Sequence, residues 1–351
     1  MSEKKEHKPT GQIEVNELSE KTKKSMKGRI LVALAMIAIV GPASVLGGYF
    51  WFAIVSIVFL FAAFELIKAP HHEFPKVVYP VVFILMVVIA YFPFLRRSFD
   101  EFVSTGVWEF DLELSMATLY VSPISLMVAF VLFFWFATAD ERITLPDVTY
   151  FVSMILLVGL GMQSALYVRY LPFRVVSDFF SIPSQSGYVD ASQPVFKYWH
   201  SLELLYFILL GSLLNDTFAY FVGVFFGKHH MNERISPKKT WEGFFGGWIL
   251  GGGSTIAFGL ICSACGFPLL PGVLDLPHWY LIVLGGLLLP VLGDLGDLSF
   301  SIIKRHYNFK DFGFILGPHG GVLDRVDSSI FCLVGFSAFL SIVISIMEIA
   351  H

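Results

Sequence analysis

The chain has 351 residues, of which 56% are hydrophobic and only 15% charged. A soluble globular domain is roughly a quarter charged, so this composition excludes an ordinary soluble fold. The formal net charge of −4 identifies no partner, because the charges are segregated by loop, and no nucleic acid is expected.

Residues 1–28 are polar and lysine-rich and are read as a cytoplasmic tail, since a signal peptide carries a far shorter charged region before its apolar core. Beyond it, apolar runs of about 20 residues, the length a bilayer core demands, recur along the chain. They predict an all-α polytopic integral membrane protein of about nine spans, near 30–47, 50–67, 76–95, 117–138, 147–168, 202–227, 241–263, 278–303 and 327–349. The first two could form a tight hairpin around Gly47-Gly48. Residues 169–200 mix aromatics with Pro, Ser and Gly and are read as an outer interfacial loop or short surface helix. The division expected is a tail (1–28), N-terminal transmembrane helices with that outer loop (29–200), and a C-terminal transmembrane region (201–351).

Lysine and arginine placement tests this topology. With the N-terminus inside, Arg96, Arg97, Arg169, Arg174 and Lys197 fall outside and the other 19 of the 24 basic residues inside. The same rule puts loops 228–240 and 304–325 on one, cytoplasmic, face. The three cysteines imply no disulfide framework, and Cys262-Ser-Ala-Cys265, ending an apolar run without a second ligand pair, is assigned to packing.

The acids of the last third carry the chemistry. Asp294 and Asp297 stand three apart near the cytoplasmic part of the eighth span, where helical spacing aligns them with Ser301 and Lys304. An ionised group at a span centre costs about 2.5–3.5 kcal/mol on insertion scales, so two acids on one stripe need compensation, by a divalent cation or by Lys304 or Arg305. Asp324 and Asp327 repeat the spacing at the start of the ninth span. Helix capping explains one of them better than two. Together the four could form a carboxylate cluster for Mg2+. Asp216, beside Asn215 and one turn before Tyr220, marks a polar spot in an apolar helix, either functional or a hydrogen-bonded tie between helices.

The run Arg234-Ile-Ser-Pro-Lys-Lys-Thr-Trp-Glu-Gly243 resembles a phosphate clamp. Lys238 and Lys239 are compact cations able to meet a triphosphate, and Thr240 is a candidate N-cap for the seventh span. Ordinary positive-inside charge is the plainer alternative. Gly243, Gly247 and Gly251 form a stripe suited to close helix packing. In His319-Gly320-Gly321 the N–H groups and imidazole could contact phosphate.

At this point the residues resemble a known family. Ser301-x-x-Lys304-Arg305, then Lys310-Asp311-x-Gly313, then His319-Gly320-Gly321-x-x-Asp324-Arg325-x-Asp327 is similar to the phosphatidate cytidylyltransferase pattern, and Asp216 with Ala-Tyr-x-x-Gly and Ser236-Pro-Lys-Lys-Thr-x-Glu-Gly resemble two further family segments. The likeness covers about the last 140 residues. Gly317-Pro318 stands where the family commonly has Pro-Gly before the histidine, and the acidic loop at 96–116 is peripheral to the pattern. The resemblance implies transfer of the CTP cytidylyl group to phosphatidate with release of pyrophosphate, in phospholipid biosynthesis, and a need for Mg2+, with one or two ions.

Under that resemblance Asp294, Asp297, Asp324 and Asp327 would hold metal with Asp216 assisting. Ser236, Lys238 and Lys239 would meet the triphosphate. Lys304, Arg305, Lys310, Arg325 and the 319–321 turn would grip phosphates of CTP or phosphatidate. Membrane lipids and a homodimer complete the expected partners, in the cytoplasmic membrane with the site facing the cytoplasm. Two rival readings are a CTP-dependent polyprenol or phytol kinase and a transporter. The concentration of charge on one membrane face disfavours the latter.

Overall fold

The computed structural model describes residues 35–70, 74–105, 123–170, 202–232, 234–317 and 320–350. The tail, residues 106–116 of the acidic loop, and the outer segment beyond Tyr170 therefore lie outside the described residues. What is described is helical apart from one short hairpin, because only internally bonded backbone is tolerated in lipid. The helices are α1 (Ala35–Leu46), α2 (Gly48–Lys68), α3 (Val78–Thr105), α4 (Pro123–Ala139), α5 (Leu145–Tyr170) and α6 (Leu202–Phe226). The antiparallel strands β1 (His230–Asn232) and β2 (Ser236–Thr240) follow. Then come α7 (Trp241–Ala264), α8 (Trp279–His306) and α9 (Leu323–Ala350). Among the described residues, stretches of α2, α5, α6, α7, α8 and α9 are long and apolar enough to cross a membrane, while those in α1, α3 and α4 are shorter. The protein is an all-α polytopic membrane protein.

Gly47 separates α1 from α2 with φ 61° and ψ −148°, a conformation open to glycine and strained for other residues. Arg169, from the end of α5, presses on it so closely that a Cβ there would overlap the guanidinium. Its Nε donates to Ser44 O at 2.9 Å, meeting a carbonyl that the last turn of α1 leaves without a helical partner. α3 runs ten residues past its expected end at 95, because helical hydrogen bonding continues through the polar residues that follow Leu95. α5 packs on α2, α3, α4 and α9, and α9 packs in turn on α8 and α6, so the N- and C-terminal regions share one core.

Two sequence expectations locate α7. Thr240 sits at φ −120°, ψ 151°, and its side-chain oxygen accepts the Gly243 N–H at 3.2 Å, a side-chain N-cap. The glycine stripe then lets α7 lie directly on α6. A Cβ at Gly251 would stand 2.8 Å from Asn215 Cα, and one at Gly247 2.5 Å from Asn215 Oδ1. Within this contact the helix widens into a π turn over Gly247–Gly251.

Hydrogen bonds between the ends of elements gather one face of the bundle. Tyr150 of α5 donates to Leu66 O near the end of α2 at 2.8 Å, and Tyr307 after α8 donates to Asp147 at the start of α5 at 3.1 Å. Arg305 Nε reaches Ile235 O of the hairpin at 3.4 Å. Loops 228–240 and 304–325 thus share one end, as charge placement predicts. At the other end Ser44 and Tyr206 hydroxyls meet at 2.9 Å.

The glycine contacts give a paired test by thermal unfolding in detergent. Gly247→Val should lower Tm sharply or abolish folding through collision with Asn215. Gly253→Ala, where an added Cβ meets nothing within 4 Å, should be neutral or stabilising by up to about 1 kcal/mol.

Candidate active site

The site is assembled from three helices and one strand at the gathered end. α8 presents Asp294 and Asp297 one turn apart, α9 presents Asp324 and Asp327 in the same way, α6 contributes Asn215 and Asp216, and β2 contributes Lys239. Two lysines bind the acid pairs. Lys239 Nζ lies 2.7 Å from Asp294 Oδ1 and 2.8 Å from Asp297 Oδ2. Lys304 Nζ crosses from α8 to α9, 3.1 Å from Asp324 Oδ1 and 3.8 Å from Asp327 Oδ2. Burial alone would depress the Lys239 ammonium, but Asp297 and Asp294 outweigh it and hold the pKa above the ordinary lysine range.

The five acids are not equivalent. The other oxygen of Asp294 accepts from Asn215 Nδ2 at 3.1 Å, and the residue is buried. Asp324 Oδ2 accepts the N–H groups of Phe312 at 2.8 Å and Gly321 at 3.0 Å. Neither amide belongs to α9, so Asp324 ties the loop to the helix rather than capping it. Asp327 accepts the Ser328 N–H at 2.9 Å. Asp297 keeps a third of its side chain open, 33%. Asp216 is exposed and within electrostatic reach of Lys239, Asp297, Asp294 and Asp327.

Ser236 opens β2, Arg305 holds the hairpin turn, and Lys310 and Arg325 are exposed. Gly320 is in the left-handed region, φ 81°, beside Asp311 and Asp324. His319 and the Lys238 side chain lie outside the described residues. Lys239 is engaged by Asp294 and Asp297, so the basic partner of that pair comes from β2 rather than being Lys304 or Arg305, and Lys304 serves Asp324 and Asp327 instead.

Among the described residues no three Asp, Glu, His or Cys side chains are close enough together to hold a metal ion as they stand. The donor chemistry nonetheless fits a hard cation. Five carboxylates stand with two ammonium groups, so the acids outnumber the cations that pair with them. Among the described residues the buried Asn215 Oδ1 beside Asp294 has no hydrogen-bond partner, and oxygen donors of this kind suit Mg2+.

One residue at the site was missed in the sequence. Glu65 of α2 is buried and accepts the N–H groups of Val322 and Leu323 at 2.9 and 2.8 Å. A lone acid in an otherwise apolar span was the available signal. The hairpin was also missed. Its turn is held by Asn232 Oδ1, which accepts from Arg234 N and Ile235 N at 3.1 and 3.2 Å.

The fold and site together define an integral membrane protein with a lysine-bridged acidic centre at one end of its helix bundle. Residues 27–343 match the Cytidylyltransferase family, and the chain belongs to it. It is similar to the phosphatidate cytidylyltransferase of Bacillus subtilis (strain 168), 39% identical over 134 residues, 38% of this chain and 46% of that protein. It is also similar to proteins of that name from Staphylococcus epidermidis, 41% over 133 residues, and Staphylococcus aureus (strain COL), 41% over 143 residues, 40% of this chain and 50% of that one. The chain thus spans about half the length of the curated relatives it matches.

The buried bridge on α9 predicts strong coupling. Lys304→Met leaves two acids without their cation and should destabilise by about 3–5 kcal/mol, as when one member of a buried pair is removed. Adding Asp324→Asn should recover part of that, with a coupling energy of about 1–3 kcal/mol. Strict additivity in denaturation of the two single variants and the double would refute the bridge.

Proposed function

We propose that the protein is a phosphatidate cytidylyltransferase, transferring the cytidylyl group of CTP to phosphatidate to give CDP-diacylglycerol and pyrophosphate. The observation that carries this reading is the meeting of the Ser236–Thr240 strand with the Lys304–Asp327 segment on one acidic centre, the two stretches whose residues resemble the family's. The shared name of the matched relatives supports it further.

A phosphatidate oxygen attacks the α-phosphorus of CTP. The new P–O bond forms as the bond to the bridging oxygen breaks, and pyrophosphate leaves with that electron pair. The nucleophile arrives with the substrate, so the protein needs no serine or cysteine nucleophile. Its task is to hold two polyanions in line and to offset charge in the transition state. Asp216 and Asp297, the more open acids, and Asp327, held only at 3.8 Å by Lys304, would hold Mg2+, with Asp294 and Asp324 beside them. When bound, Mg2+ would supply neutralisation of the triphosphate charge. Lys239 and Lys304 hold the acid pairs in place, and each can turn toward a phosphate once a metal takes its place. Arg305, Lys310, Arg325, Lys238 and the 319–321 turn serve the outer phosphates, on the cytoplasmic side, where CTP is.

An acyl chain of the lipid needs an apolar place, and one is available between the helices. An apolar cavity of about 200 Å3 is lined by Val326, Ser329, Ile330 and Leu333 on α9, together with Trp51 and Met162. Its lining is apolar and reaches α9 as far as Val326, which suits an acyl chain.

Purified protein in detergent with labelled CTP, phosphatidate and Mg2+ should form CDP-lipid and pyrophosphate. Chelation of the metal should stop turnover and added Mg2+ restore it. Asp297→Asn and Asp327→Asn should each abolish activity without unfolding the protein. No CDP-lipid from folded wild-type protein would sink the reading, and full activity of both variants would remove the metal assignment.

A further inference from the structure

We propose that Glu65 is a positioning residue for this centre, an N-cap supplied in trans that sets where α9 begins and hence where its two acids stand. The inference rests on the cytidylyltransferase reading for its catalytic consequence and on the structure for its mechanics. α9 starts at Leu323, so the residue before it, Val322, occupies the capping position. Valine has no side-chain oxygen and is among the poorest residues there. The first N–H groups of a helix have no intrahelical acceptors, and here they are buried in protein rather than wetted. Glu65, 257 residues away in sequence, supplies both oxygens, Oε1 to Val322 N at 2.9 Å and Oε2 to Leu323 N at 2.8 Å. The carboxylate also faces the positive end of the α9 dipole.

Both sides of the contact are built for this carboxylate. An added Cβ at Gly313 or at Gly321 would come within 2.5 Å of a Glu65 oxygen, so the backbone at 313 and at 321 closes over the carboxylate only because glycine stands at both places. Behind it, the last turn of α2 is held by the Tyr150 hydroxyl on Leu66 O, 2.8 Å, and Tyr150 stacks edge-on with Tyr307 at 4.9 Å. Glu65 is thus a short rigid strut from the α2–α5 scaffold to the first turn of α9. Asp324 lies one residue beyond the capped amides and Asp327 one turn further. Asp324 also accepts from Gly321 N, so displacing the loop from Glu65 would disturb that bond too. Glu65 touches no reacting atom and acts through the helix it anchors.

The test is Glu65→Gln in the full-length protein. Glutamine keeps the shape but turns an NH2 toward one of the two amides, leaving that donor unmet. Deuterium uptake should rise in the segment spanning Val322 to Asp327 and stay unchanged elsewhere. Turnover per folded molecule should drop by about 10- to 100-fold, the range for residues that orient a metal's ligands, while KM for CTP changes little. Glu65→Asp, which keeps the charge one methylene short, should fall between the two.

Unchanged uptake in that segment, or wild-type turnover per folded Glu65→Gln molecule, overturns the proposal. So does a loss of activity that merely tracks a general rise in uptake and a fall in Tm, the mark of a purely structural role. Failure of the wild type to form CDP-lipid would instead strike the cytidylyltransferase reading, and the uptake measurement would still decide whether Glu65 anchors α9.

Discussion

Two acid–lysine–acid bridges in a poorly solvated place constrain everything else at the functional end of this protein. Acids one turn apart on a helix repel each other, and in low dielectric neither can stay charged without a cation close by. Each pair receives its cation from a different element, Lys239 from the strand to α8 and Lys304 from α8 to α9. The bridges therefore do more than neutralise charge. They tie the hairpin, α8 and α9 into one unit whose relative positions cannot drift without separating buried charges.

That requirement explains the architecture around α7. Lys239 reaches Asp294 only if the strand ends beside α8, and the strand ends where Thr240 caps α7. The cap packs into the α6–α7 contact, since an added Cβ at Gly223 would lie 3.1 Å from its Oγ1 and one at Gly243 3.0 Å. The glycines of α7 thus act on the site indirectly. By letting α7 lie on α6 they bring Asn215 to Asp294 and set the anchorage from which Lys239 extends. A buried hydrogen bond to a charged group contributes about 1.5–3 kcal/mol, so Asn215 also helps hold the Asp294 side chain in place between the lysine and itself.

Much of this was legible in the sequence because apolar length, acid spacing and capping chemistry are local. The positions of the helices followed from runs of lipid-compatible residues, the Thr240 cap from its place before an apolar run, and the glycine stripe from its period of four. The two acid pairs were visible as i, i+3 repeats, and charge asymmetry placed their loops on one face. What was not legible was pairing across the chain. Nothing near Lys239 in sequence says that it serves acids 55 and 58 positions on rather than a phosphate. Nothing near Val322 says that its missing cap comes from α2. Such contacts depend on how helices dock, and the only local trace of Glu65 is the cost of putting one acid in an apolar span.

The loop between α8 and α9 shows how the same site keeps some charges in and others out. Phe309 and Phe312 are buried and pack edge-on to each other at 5.0 Å, with Phe312 also against Phe300 of α8 at 5.8 Å. The Phe312 ring lies 5.6 Å from Lys304 Nζ, a cation–π distance, and its N–H is committed to Asp324. With both rings held inside, Lys310 between them is left exposed. The apolar anchors thus decide which cations are locked into bridges and which face outward. Lys304 is held from three sides, by two acids and a ring, whereas Lys310 points outward. Burying aromatic surface on either side of a lysine lets a short loop aim a charge without spending a second acid to hold it.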